Sequence, residues 1–287
     1  MLNIGLIGDI KLLNPYITRI RKNPKLHISG KSSVGIRVNP DDFSLSIPEF
    51  NRIELIERSD ILLISLFPLF PFHLVQKLIK KGKHIFAADL PEFDPDEYVG
   101  LVKLSDEAGI SFHITNPLVN LPPMQWLIDT IKAPAWMDIS YFRKNDRDND
   151  PLLELLLMTH GITGISPKKI EAVSFQSNSG ETDFNNLRLE YSSSTVINLN
   201  FGKGYSDEFV VKAYSAGKNA LLDLDNNKFL FNNKVPGMSH YLRQDEFNTF
   251  IENILNKKGP STGISDYLNV LQTHLQAESK LSQFFSV

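Results

Sequence analysis

At 287 residues with 42% hydrophobic side chains, the chain is long enough for two domains with real cores. Its 30 basic and 33 acidic residues leave a net charge of -3 and are mixed along the chain, which excludes a nucleic-acid face or a long charged tail. No cysteine is present, so disulfides, thiolate zinc sites and a cysteine nucleophile are excluded.

In chain order, the first predicted element is a strand from Leu2 to Ile7. It leaves no room for a signal peptide, and no apolar run approaches the roughly 20 residues of a membrane span, so a soluble cytoplasmic protein is expected. A helix continues over Pro15 to Lys22 and ends near Asn23-Pro24; Leu26 to Ser29 is a second strand, and a helix follows around Ile47 to Arg58. Asp60 to Ser65 is a continuous apolar strand, the pattern of a sheet covered on both faces. The helix Phe72 to Lys81, stopped by Gly82, leads to the strand His84 to Ala88. The helix Pro95 to Ala108, closed by Gly109, leads to the strand Ile110 to Thr115. Repeated βα units of this length predict a Rossmann-type, doubly wound parallel sheet over 1–118, with its working edge at the carboxyl ends of the strands.

After Pro117 the pattern changes. Met124 to Ile131 reads as a helix, Trp136 to Phe142 as a strand, and Leu152 to Thr159 as an apolar helix. Strands over Ile170 to Ser177, Asn186 to Tyr191, Thr195 to Phe201, Phe209 to Ser215, Asn219 to Asp225 and Lys228 to Phe231 follow, joined by short polar turns. They predict a large, open, mainly antiparallel sheet. Two helices, Asp245 to Lys257 and Ser265 to Phe284, close an α+β domain over 119–287. Ile197, Leu199 and Phe201 alternate with Asn198 and Asn200, so one face of this sheet is apolar and covered and the other is polar.

The turn after the first strand, Gly8-Asp9-Ile10-Lys11-Leu12-Leu13, stands where a dinucleotide-binding chain carries GxGxxG. There the first glycine makes the turn, the second lets backbone approach the pyrophosphate, and the third lets helix and strand pack. Only Gly8 is present; Ile10 and Leu13 hold the other two positions, and side chains at Ile10 obstruct a diphosphate. Read alone, the segment is the first βα turn of a parallel sheet.

The order of elements resembles the glucose-fructose oxidoreductase and inositol dehydrogenase family, called Gfo/Idh/MocA, over nearly the whole chain. The resemblance rests on Asp60 to Ser65 followed by Leu78-Ile79-Lys80-Lys81-Gly82-Lys83-His84-Ile85-Phe86, similar to the family's ALEAGKHVF segment. It rests further on Asp106 to Ile110, Asn116 to Ile128 and the helices beginning Glu246-Phe247-Asn248. It implies NAD(P)-dependent oxidation of a hydroxyl on a sugar, cyclitol or related small molecule, and a homodimer through the open sheet face. No nucleic acid or membrane partner is expected.

Position by position, the family's machinery is missing. In place of its Glu-Lys-Pro stand Ala88, Asp89 and Leu90, and a carboxylate does not donate a hydrogen bond to a developing alkoxide. Asp89 is then either a general base or a capping residue before Pro91. Pro151 stands where the family's histidine belongs, with Glu154 at the accompanying acid, either facing the substrate or carrying a helix N-terminal charge. His160, beside Gly161, is expected to bond the terminal carbonyls of its helix. The second strand ends on Gly30-Lys31-Ser32-Ser33 without an acid for a ribose 2′-hydroxyl; Lys31 and Ser32 suit a 2′-phosphate, hence NADP, or serve as plain surface residues. The apolar run from Ser65 and Leu66 to Phe72 either closes the nucleotide crevice with side chains or lines a pocket for an apolar or planar ligand; closure is expected, because Ile10 and Leu13 would occupy the same crevice. Candidate positions are therefore Asp89 and Glu154 for catalysis, and Gly8, Asp9, Ile10, Lys31, Ser32, Ser65 and Leu66 for a cofactor, NAD or NADP if any. Two outcomes stay open: a degenerate member binding a small ligand or partner, or an active NAD(P)-dependent oxidoreductase. Asp146 to Pro151 has the start of calcium-loop spacing but proline where glycine is needed, and the seven histidines show no ligand spacing.

Overall fold

The computed structural model describes residues 1–32, 47–65, 70–90, 94–144, 151–176, 183–237, 246–259 and 263–284, without the side chains of Ile10 and Gln176. The chain divides into two compact units. One comprises Met1–Thr115 with Asp245–Leu268, and the other Asn116–Gln244 with Asn269–Val287. Residues 245–268 thus rejoin the first unit after the chain has passed through the second.

The first unit is built on a five-stranded parallel sheet of β1 (Leu2–Ile7), β2 (Leu26–Ser32), β3 (Ile61–Ile64), β4 (His84–Ala87) and β5 (Phe112–Ile114), in the order β2-β1-β3-β4-β5. All four residues of β3 are fully buried, as a strand covered on both faces requires. Helix α1 (Ile10–Lys22) buries Leu13, Ile17 and Ile20, spaced along one face, against Ile4, Leu6 and Leu63; each such side chain contributes about 1.5–3 kcal/mol. Helix α2 (Arg52–Arg58) is shorter than the sequence suggests. Residues 47–50 ahead of it instead run beside β2, where the Lys31 N–H donates to Pro48 O and the Phe50 N–H to Lys31 O, each at 2.9 Å. Helices α3 (Phe72–Lys80) and α4 (Pro95–Ala108) follow. Asp94 and Glu97 form a capping box on α4, and Gly109 closes it at φ +62°. Asp94 is therefore the N-cap of α4.

The second unit holds a seven-stranded sheet ordered β12-β11-β10-β6-β9-β8-β7. Its strands are β6 (Trp136–Arg143), β7 (Lys169–Gln176), β8 (Asp183–Glu190), β9 (Val196–Lys203), β10 (Glu208–Ser215), β11 (Lys218–Asp223) and β12 (Lys228–Phe231). All neighbours are antiparallel except β6 and β9, which run parallel. The strand that precedes the apolar helix thus inserts between two strands that follow it. Ile197, Leu199 and Phe201 lie on the buried face with Ile139, Leu187 and Val211, while Asn198 and Asn200 are on the other. Helix α5 (Pro122–Ile131) packs on β10 and β11, and α6 (Pro151–Thr163) on β9. Five consecutive α6 residues, Leu155 to Thr159, are buried, so this helix is enclosed rather than amphipathic. Burial pushes the Tyr191 phenol up to about 12 against the downward pull of its hydrogen bonds with Thr159 and Thr163. Helix α6 runs a turn beyond Thr159 and ends at Gly164, so His160 and Gly161 are inside it. Helix α7 (Glu246–Leu255) belongs to the first unit, and α8 (Ile264–Leu281) begins there and continues in the second. Among the described residues no helix is long and apolar enough to cross a membrane.

Candidate active site

Strand order reverses between β1 and β3, and in open parallel sheets ligands bind at the carboxyl ends of the strands flanking that point. Four predicted positions meet there. Gly8 and Asp9 form the whole connection from β1 to α1, Ser32 ends β2, and Ser65 follows β3. The Asp9 N–H donates to Ser65 Oγ at 2.9 Å, and the Ser65 hydroxyl faces the Asp9 carbonyl at 3.2 Å. The Ser65 N–H donates to Ile7 O at 2.9 Å, and the Gly8 N–H to Ser32 O at 3.1 Å. Ser65 is 1% exposed and Ser32 6%, so both hydroxyls are inside the fold. Gly8 has φ +115°, and a Cβ there would lie 2.2 Å from Ser65 O. Its glycine is required by the contact with Ser65.

The N-terminus of α1 is also occupied. The Asp9 carboxylate accepts from the Lys11 N–H at 2.8 Å, placing a negative charge at the positive end of the helix dipole. Leu13 fills the core beneath α1. The Ile10 side chain and Leu66 lie outside the described residues, as do Phe67 and the 146–150 loop, while Phe70 at the end of the same apolar run is 1% exposed. Lys31 is half-buried at the end of β2, its backbone paired with residues 48 and 50.

Further along the edge, Asp89 is half-buried two residues beyond β4. After β5 stands a cluster that sequence reasoning missed. Thr115 Oγ1 donates to Glu246 Oε2 at 2.7 Å, and Glu246 Oε1 is 3.8 Å from Nε2 of the fully buried His113. The His113 ring stacks on Phe86 at 4.8 Å. Thr115 and Glu246 are 131 positions apart, and no local pattern pairs them. His84 is structural: its Nδ1 accepts the Ser111 N–H at 2.9 Å, and burial holds its pKa below the usual value against the opposing influence of Asp60.

Glu154 is in the first turn of α6, in the second unit, with Pro151 as that helix's first residue. Gly161 lets the helix approach the turn after β5, since a Cβ there would stand 3.0 Å from Asn116 Nδ2, which donates to Leu157 O. Among the described residues no group of three His, Asp or Glu side chains is placed to hold a metal ion.

A five-stranded parallel sheet in one unit and an open, mainly antiparallel sheet in the other is a fold shared with solved dehydrogenase structures. No family model matches the sequence, and no curated protein matches it by sequence. Among solved structures, UDP-N-acetylglucosamine 3-dehydrogenase from Acidithiobacillus ferrooxidans superposes with a TM-score of 0.81 at 17% identity, covering 99% of this chain and 98% of that one. A dehydrogenase from Chromobacterium violaceum gives 0.77 at 13% identity over 98% and 96%. The biliverdin reductase of a Synechocystis species, in complex with biliverdin and NADP+, gives 0.75 at 12% identity over 98% and 99%. At such identities the likeness shows the fold.

Proposed function

We propose that this chain is a divergent Gfo/Idh/MocA protein that has lost dinucleotide-dependent hydride transfer and binds a small ligand or a partner. The observation that carries the reading is the two-residue β1–α1 turn, in which the Asp9 N–H is committed to Ser65 and the Lys11 N–H to a carboxylate. A pyrophosphate needs such donors, and its own charge is repelled by Asp9. Ala88, Asp89 and Leu90 in place of Glu-Lys-Pro, and Pro151 in place of histidine, agree with it. A cytoplasmic setting goes with this reading, since a chain without cysteine draws nothing from an oxidising compartment.

The test is a thermal-stability titration with NAD, NADH, NADP and NADPH. The expected result is no shift, whereas a ligand at a hundred times its dissociation constant adds about 2.7 kcal/mol. A saturable shift with any of the four would sink the proposal. It would favour the second reading, an oxidoreductase acting on a sugar or cyclitol hydroxyl with Asp89 or Glu154 as base, which draws support from the near-complete fold overlap with dehydrogenases.

The partner in this reading is a second copy meeting the outward face of the large sheet. That face carries Trp136 against Tyr214 at one end (ring centroids 5.2 Å apart) and Phe142 stacked on Phe184 at the other (6.0 Å). Phe175 and Val173 on β7 are 64% and 53% exposed. Between the aromatic groups the Asn186, Asn200 and Asp138 side chains form a ladder of 2.8 Å hydrogen bonds. Apolar ends flanking a polar centre suit an isologous, wet interface. Light scattering is expected to give twice the 32.5 kDa chain mass, falling to one chain when Phe175 is changed to Asp. A monomeric wild type at micromolar concentration would remove the dimer.

A further inference from the structure

We infer that Asp9 is the specificity-determining group of this edge: its carboxylate is a built-in anion at the N-terminus of α1, standing in for the phosphate that this position holds in dinucleotide-binding folds. This rests on the reading above that no dinucleotide is used, and it goes further by assigning the exclusion to one side chain.

Three observations converge on it. The connection from β1 to α1 is only Gly8 and Asp9, so the residue after the turning glycine is itself the N-cap. Its side chain accepts the Lys11 N–H at 2.8 Å, consuming a first-turn donor and setting a full negative charge where the helix dipole is most attractive to anions. Its backbone is locked from the other side, because the Asp9 N–H and carbonyl both meet the buried Ser65 hydroxyl, and Gly8 is pressed onto Ser65 O. The N-cap acid thus cannot be moved by a backbone shift without breaking the contact between the ends of β1 and β3. Missing glycines alone weaken a phosphate site, whereas a fixed carboxylate in the same place opposes it.

The charge is separable from the cap. Asparagine caps helices about as well as aspartate, so Asp9→Asn keeps the acceptor for Lys11 and removes only the charge; Asp9→Gly removes both. The probe is inorganic pyrophosphate at low ionic strength, with melting temperature and calorimetric binding as readouts. Wild type is expected to be silent or weak. Asp9→Asn is expected to bind about tenfold more tightly than wild type, with Asp9→Gly at least as tight, and the gain is expected to fade as salt is added. Equal responses from wild type and Asp9→Asn would overturn the assignment, and so would silence from both variants when their circular dichroism shows them folded. Neither outcome touches the reading that no dinucleotide is used. Binding of NAD or NADP by wild type would sink that reading and this inference together.

Discussion

Gly8→Ala is expected to destabilise the first unit by about 3 kcal/mol or more, measured as a lower urea midpoint at unchanged slope. Two costs add. At φ +115° an L side chain is strained whatever the space around it, by about 1–3 kcal/mol. The new Cβ would also stand 2.2 Å from Ser65 O and 2.5 Å from Ser65 Oγ, and the first of these is backbone at the end of a fully buried strand. Relief requires β1 and β3 to part at their carboxyl ends, breaking the Asp9–Ser65 pair. Gly100→Ala provides the contrast. Gly100 is inside α4 with nothing within 4 Å of an added Cβ, so alanine there is expected to stabilise by about 0.5–1 kcal/mol. If Gly8→Ala costs under about 1 kcal/mol, the claim that Ser65 dictates this glycine fails.

The same position shows how far the fold and the site can be read from a single chain. Helix α4 is legible from end to end, because Pro95 and Gly109 act on the backbone within a few residues of themselves. The apolar run of β3 announces a strand covered on both faces for an equally local reason. What is not legible is pairing at a distance. Antiparallel hairpins suggest themselves from neighbouring strands, yet β6 inserts between β9 and β10 and runs parallel to β9. The shortening of α2 is set by residues 48 and 50 bonding to Lys31.

At the site, Gly8 is conspicuous as a motif fragment, while its reason, Ser65, is 57 positions away and looks like any small residue after a strand. Asp9 is an ordinary capping residue by pattern, and only its coincidence with the topological switch gives its charge a consequence. Glu246 is legible only as the start of a helix, and nothing local pairs it with His113 until α7 returns to the first unit.

That return supplies the second large effect: Phe86→Ala is expected to destabilise the first unit by about 3–5 kcal/mol and to free α7. Phe86 is fully buried on β4, and its ring meets Tyr16 of α1 at 5.4 Å, Phe247 and Phe250 of α7 at 5.4 and 5.3 Å, and His113 of β5 at 4.8 Å. The three Tyr and Phe contacts are edge-on, a geometry that adds about 0.5–1.5 kcal/mol for a pair beyond the area buried. Truncation to alanine leaves a cavity lined by rings from three elements, which cannot collapse without moving a helix. Because α7 reaches this core from the far end of the chain, the loss is expected to appear locally as faster amide exchange over 246–255 relative to α4. Phe86→Leu, which restores most of the apolar volume, is expected to recover more than half of the stability. A small loss of stability with α7 protection unchanged would mean that the helix is held by Glu246 and Thr115 rather than by the aromatic cluster. A large loss with selective exposure of α7 would identify Phe86 as the residue that joins the end of the chain to its beginning.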